Sequence, residues 1–339
     1  MFDVDPMGAL VKRSAGIVLG CLLGGLLLAG PALAQNDAQT LRVGLIGFNS
    51  AELRQGYEQS LVDGLRELGY VEGKNLELVR RYADGQPARV RQIAKELTDL
   101  KLDAIVTTCT PTTKVMENAT QTTPLVMAAV SDPVGAGLIK SYAKPGGNIT
   151  GLATQFEDIV GKMLQLFIEA VPQASPVAVM HNPRNPVHQA FLKQLASAAP
   201  PLNVDLIPVA VDLQTDIDAA IDGAGKKGAD SVLALPDDTL IGHFRRPIIR
   251  AATRRRMASF FGYREAVEDG ALMSYGESRR HTYYRVAYYL DKIAKGAQPG
   301  NLPVAQPTRF ELAVNLATAQ ALGITIPPSV MARADRVVQ

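Results

Sequence analysis

The chain has 339 residues, 47% of them apolar and 20% charged, with a formal net charge of +2. That length can hold two lobes with substantial cores. The interleaved, near-neutral charge provides no electrostatic basis for binding a nucleic acid or an anionic membrane surface. The densest basic run, Arg254-Arg255-Arg256, reads as a solvated helix end, where cations complement the helix dipole.

In chain order, Lys12 and Arg13 come first, followed by an apolar run from Ala15 to Ala29. Pro31 and the triplet Ala32-Leu33-Ala34 come next. This charged, apolar, small-residue order predicts a secretory signal over residues 1–34, cleaved after Ala34, and hence a periplasmic protein. Lipid anchoring at Cys21 is the second choice, because that cysteine lies inside the apolar run. Of the two cysteines, only Cys109 would remain after cleavage, so no internal disulfide is expected. Cys109 follows an apolar strand and reads as a buried, inert thiol.

Short apolar runs then alternate with amphipathic ones. Leu41 to Phe48 reads as a buried strand. Tyr57, Leu61, Leu65 and Leu68 recur at helical spacing before Gly69. Asn75 to Tyr82 is a strand, and Val90, Ile93, Leu97 and Leu100 mark a helix. Ala104 to Thr107 and Leu125 to Val130 are strands flanking a short helix at Thr112 to Ala119. After a Gly- and Pro-rich stretch, SDPVGAGLIKSYAKPGGNITG at residues 131–151, the pattern restarts. Ile159, Met163, Leu166 and Phe167 share a helix face. Strands follow at Pro176 to Met180, Val204 to Val209, Ser231 to Leu235 and Ala258 to Phe261. Helices are expected between them, the last from Thr239 to Arg255. This alternation predicts an α/β protein of two Rossmann-like lobes with parallel sheets and a cleft between them. The 131–151 stretch is expected to be a crossover lining that cleft.

The catalytic and cofactor motifs fail on context. Gly223-Ala224-Gly225-Lys226-Lys227-Gly228 fits G-x-G-x-x-G but ends a helix instead of opening one. No G-x-S-x-G elbow or H-E-x-x-H helix occurs. The four histidines show no metal spacing, and His181 reads as structural. Neither an enzyme, a cofactor nor a metal site is expected.

Polar residues cluster just after the predicted strands. These are Asn49 and Ser50, Thr108 and Thr110, Ser131 and Asp132, His181 and Asn182, Asp237 and Asp238, then Tyr263. Parallel strands would aim them all at one cleft. Each is also an ordinary helix N-cap type. Hydroxyls and helix N-termini suit a carboxylate, and Asp132, Asp237 or Asp238 suits an ammonium group. Phe48, Tyr263 and Tyr275 would supply an aromatic wall. The pattern fits a zwitterion such as an amino acid, and other small polar ligands as well.

Several long stretches carry a family likeness: GLRELGYVEGKNLELVRRYADG, SDPVGAGLIKSYAKPGGNITGL, PVAVMHNPRNP, GYREAVEDGALMSYG and QPTRFELAVNLATAQALGITIPPSVMARAD. In these the chain resembles the substrate-binding proteins of ABC transporters of the tryptophan/tyrosine-type group, with a type I periplasmic-binding-protein fold. The resemblance implies three crossovers, near Gly147 to Gly151, Tyr263 to Gly270 and Asn301 to Thr308. Lobe 1 would then be residues 40–150 plus 270–302, and lobe 2 residues 151–262 plus 306–335. It also implies a monomer that binds a small molecule and presents it to ABC permease subunits in the membrane, with no nucleic acid involved. The expected ligand contacts are Asn49, Ser50, Thr108, Thr110, Asp132, Asn182, Asp237, Tyr263 and Tyr275. A periplasmic sensor reporting to a membrane signalling partner is the alternative. The missing DNA-binding headpiece and the signal sequence argue against a transcriptional regulator.

Overall fold

A computed structural model describes residues 40–339. The signal-peptide reading, its cleavage site and Cys21 lie outside the described residues.

The first lobe is built on a parallel sheet in the order β2-β1-β3-β4-β5. Its strands are β1 (Leu41–Gly47), β2 (Leu76–Tyr82), β3 (Ala104–Thr107), β4 (Leu125–Val130) and β5 (Ile149–Ala153). Its helices are α1 (Ala51–Glu67), α2 (Pro87–Asp99) and α3 (Thr110–Ala119). Covered on both faces, β1, β3 and β4 read as near-continuous apolar runs, whereas the edge strand β2 carries Glu77, Arg80 and Arg81. On one face α2 and α3 contribute Val90, Ile93, Leu97 and Met116 to a core with Ile46, Ile105 and Leu125. On the other, Leu61 and Leu65 of α1 pack with Val43, Leu45 and Val106.

The chain leaves β5 for the second lobe, whose elements begin with α4 (Phe156–Ala170), β6 (Val177–His181), α5 (Val187–Ala198), β7 (Leu206–Ala210) and α6 (Ile217–Lys226). They continue through β8 (Ser231–Ala234), α7 (Arg245–Arg254), β9 (Ala258–Phe261), α8 (Glu265–Glu268) and β10 (Met273–Glu277). The chain then returns to the first lobe with α9 (Arg279–Ala294), whose Val286 and Leu290 join the α1 side of that core. Gly64 lets the two helices meet closely: a Cβ there would lie 2.6 Å from the Tyr284 carbonyl oxygen. Finally β11 (Phe310–Asn315), α10 (Leu316–Leu322), α11 (Pro328–Met331) and β12 (Arg336–Val338) complete a second sheet, β12-β11-β10-β9-β8-β6-β7.

Four features differ from the sequence expectations. First, β5 belongs to the first sheet, so the first crossover comes after Ala153 and not within Gly147 to Gly151. Second, β10 pairs with β9 in the second sheet, so residues 273–277 are not part of lobe 1 and the second crossover falls at Ser278. Third, β10 and β11 are antiparallel. The physical reason is the excursion between them: β10 ends at the cleft, the chain visits lobe 1, and β11 re-enters from the cleft side. Fourth, the 131–151 stretch is mostly a wall of the first lobe. Leu138 and Ile139 are buried in that lobe's core, and Gly146 N–H donates to the Gly300 carbonyl at 3.1 Å.

The predicted Thr239 to Arg255 helix is also divided. A wide turn at Thr239–His243 precedes α7. Pro247 has no N–H to offer the His243 carbonyl, so the regular ladder starts afresh at Arg245.

Candidate functional site

A cavity of about 370 Å³ lies between the lobes. It is walled by residues following the carboxyl ends of strands in both sheets, where open α/β sheets place their ligands. The first lobe contributes Phe48 after β1, Cys109 to Thr112 at the start of α3, and Ser131 after β4. Asn182 and Asn185 after β6, Pro236 to Thr239 after β8 and Tyr263 after β9 face them from the second lobe.

On the first-lobe side, Cys109 is the N-cap of α3 with extended backbone. The helix therefore points its unpaired amides and partial positive charge toward the cavity. Thr110 Oγ1 donates to the Ser131 carbonyl at 2.9 Å, tying the ends of β3 and β4 together. The Cys109 thiol lies 3.0 Å from Thr112 Oγ1. Burial, reinforced by the charge of Asp238, pushes it up to about 12. It is therefore a thiol at neutral pH and not a nucleophilic thiolate.

On the second-lobe side, one buried imidazole organises the wall. His188 Nδ1 accepts from the Asn182 backbone N–H at 2.9 Å, so the ring is neutral with its proton on Nε2. That Nε2 faces the Pro236 carbonyl at 3.3 Å. Burial holds this histidine below its ordinary pKa. The ring thus joins the loops after β6 and β8. Between those loops Asp237 Oδ2 accepts from Asn182 Nδ2 at 2.9 Å, and Oδ1 accepts from the Leu240 N–H at 2.6 Å. Every polar partner of Asp237 named here is in its own lobe.

The neighbouring carboxylate behaves differently. Arg279 Nη2 donates to Asp238 Oδ1 at 2.5 Å, Thr108 Oγ1 donates to Oδ2 at 3.4 Å, and Arg54 Nη1 lies 3.8 Å from Oδ2. All three partners come from the first lobe. The Arg279 guanidinium also lies 4.3 Å from the centroid of the Tyr263 ring, within cation–π range. Tyr263 meets Phe156 edge-on at 5.1 Å and 86°. Burial holds its hydroxyl well above the ordinary range, so it is neutral.

Of the nine expected contacts, Thr110, Asn182, Asp237 and Tyr263 line the cavity. The other five do not. Asn49 is buried against Gly242 of the opposite lobe, where a Cβ would lie 2.2 Å from its Nδ2. Ser50 is the N-cap of α1, without a side-chain cap bond. Thr108 is engaged with Asp238 behind the cavity wall. Asp132 Oδ1 accepts from the Gly135 N–H at 2.8 Å in a local turn, with the Asp132 backbone at φ 39°. Tyr275 sits in β10 beside Phe310, ring centroids 5.9 Å apart. Sequence reasoning missed Arg279, whose local signal is only the Ser278 N-cap accepting from His281 N–H. No cluster of three or more His, Cys, Asp or Glu side chains suited to a metal occurs among the described residues.

The comparisons with known proteins agree with this architecture. The family model for ABC transporter substrate binding proteins matches residues 42–338. A solved conserved domain protein of Vibrio cholerae is 32% identical, covering 88% of this chain and 100% of its own, with a TM-score of 0.83. A Streptococcus pneumoniae ABC domain in complex with L-Trp is 24% identical over 88% of this chain and 100% of its own, with a TM-score of 0.81. The ligand-free, open structure of a Clostridium difficile substrate binding protein with adhesive properties is also 24% identical, covering 88% and 99% of the two chains, but its TM-score is 0.63. A curated tyrosine-binding protein of Clostridioides difficile strain R20291 is 26% identical over 265 residues, 78% of this chain and 76% of its own.

Proposed function

The chain belongs to the ABC transporter substrate binding protein family, and from that premise we propose that it is the extracytoplasmic receptor of an import system for an amino acid, with an aromatic side chain preferred. The lobes close on the ligand, and the closed form docks on the membrane permease. It performs no chemistry on what it binds.

One observation carries this reading. The cavity opposes a hydroxyl-lined helix N-terminus on one lobe to the Asp237 carboxylate on the other, between the apolar walls of Phe48, Pro236 and Tyr263. A zwitterion spans such a gap with its carboxylate on the first lobe and its ammonium on the second. The volume of about 370 Å³ falls at the lower end of small-molecule sites, roughly 300–1,000 Å³. The relatives support the same ligand class, one being named for tyrosine and another solved with L-Trp. At equal identity, the chain superposes better on the L-Trp complex than on the open, ligand-free structure. This supports reading the lobes here as closed. A ligand favours that form only by its differential affinity for it. Extracytoplasmic location rests on the signal sequence read at residues 1–34. No helix among the described residues is long and apolar enough to cross a membrane.

Asp237→Asn tests the assignment. It keeps an acceptor for the Leu240 N–H, replaces the oxygen that accepts from Asn182 Nδ2 by an NH2, and removes the charge that would meet an ammonium. Calorimetric titration with L-tryptophan and L-tyrosine should show affinity lower by roughly ten- to a hundredfold, with stability lower by about 1–3 kcal/mol for the Asn182 donor left without its acceptor. Affinity equal to that of the wild type would overturn the assignment.

A further inference from the structure

We propose that Asp238 is a closure latch: it holds the lobes shut by accepting charge from Arg279 and Arg54 across the cleft, and so sets ligand affinity without being the group that binds the ligand's ammonium. This deepens the receptor reading and rests on it.

The two adjacent aspartates face opposite demands. Asp237 is satisfied within its own lobe, by Asn182 and the Leu240 N–H, and keeps lone pairs for a cavity occupant. Asp238 has its charged partners on the other lobe, Arg279 at 2.5 Å and Arg54 at 3.8 Å. Asp238, Arg54 and Arg279 are 3%, 1% and 5% exposed. The group is therefore dry only while the lobes are together. Charges buried this way are tolerated when paired and strongly unfavourable when one partner is missing.

The two arginines are not equivalent. Arg54 keeps a carboxylate in its own helix, Glu58 at 3.2 Å, when the cleft opens. For Arg279, Asp238 is the carboxylate within 4.0 Å among the described residues. Arg279 is also the first residue of α9, directly after the crossover from β10. Because α9 packs with α1 in the first-lobe core, Arg279 belongs to that lobe and leaves Asp238 when the lobes open. In the open form water hydrates both groups. Closure without Asp238's charge would bury Arg279 unpaired.

The test uses Asp238→Asn, Arg279→Gln and the double variant, each with fluorophores on Lys95→Cys in one lobe and Lys193→Cys in the other. Single-molecule energy transfer reads the lobe separation of ligand-free protein, and titration with L-tryptophan reads affinity. Each single variant should shift the ligand-free population toward the open separation and weaken L-tryptophan roughly a hundredfold. The double variant should be little worse than either single one, because both remove the same pair. Asp238→Glu should recover part of the loss. Weakened binding with an unchanged ligand-free separation would make Asp238 a ligand contact and overturn the latch. Unchanged separation and affinity, or additive losses in the double variant, would also overturn it. If the wild type binds neither L-tryptophan nor L-tyrosine, the amino-acid reading fails, and the ligand-free separations still decide the latch. A variant that fails to fold is replaced by its partner from the opposite lobe, which removes the same pair.

Discussion

Glu277, the last residue of β10, gives a prediction whose size follows from the structure. It is 4% exposed and lies beside Tyr263, Arg279 and Glu157. Burial pushes it from its ordinary 4.5 up to about 8; Arg279 offsets part of this, and the nearby Glu157 adds to it. The folded protein therefore holds this proton where the unfolded chain has released it. The sign follows: between the two pKa values the native state binds more protons, so stability falls as pH rises and the loss is complete above about pH 8. At about 1.4 kcal/mol per unit, moving from 4.5 to about 8 corresponds to roughly 5 kcal/mol. Glu277→Gln keeps the shape and removes the titration. Urea denaturation at intervals from about pH 5 to 9 should show the wild type losing stability relative to the variant by close to one proton's slope, about 1.4 kcal/mol per pH unit up to about pH 8. A difference between the two proteins that stays constant over this range would refute the reasoning.

Two further predictions concern a strand glycine and the thiol. Gly151 in β5 has φ 123°, and a Cβ there would lie 2.4 Å from the Met127 carbonyl oxygen. Gly151→Ala should therefore destabilise the protein by about 3 kcal/mol or more, read as a lower midpoint in denaturant. Cys109 should resist iodoacetamide at pH 8 in the native protein and react fully after unfolding, since burial pushes its thiol to about 12; rapid native labelling would contradict that burial.

The fold was legible because both sheets are covered on each face. Runs such as Leu41 to Gly47 and Ser231 to Ala234 are apolar apart from Arg42 and Ser231, and the intervening helices carry one apolar stripe. The crossovers were less legible because they depend on long-range pairing. Nothing local in Met273–Glu277 says that it pairs with β9 before the chain changes lobe. The same limit hid Arg279, whose role arises only when α9 returns to the first lobe. Asp132 and Asn182 both follow strands, and local sequence does not separate them. Asp132 Oδ1 bonds the local Gly135 N–H and the residue lies off the cavity wall, whereas the backbone N–H of Asn182 is taken by His188 and its side chain bonds Asp237. Tyr275 was misplaced because it lies within a strand, two residues short of the strand's cleft end.

The most direct test of the account is ligand binding by the wild-type protein, freed of co-purified solute by unfolding and refolding. Thermal shift would be read against L-tryptophan and L-tyrosine, with aliphatic amino acids, a pentose and a nucleoside alongside. An amino acid at about 100 times its dissociation constant should add roughly 2.7 kcal/mol of stability, with the aromatic pair strongest. Stabilisation by the pentose or the nucleoside, with no response to any amino acid, would contradict the account.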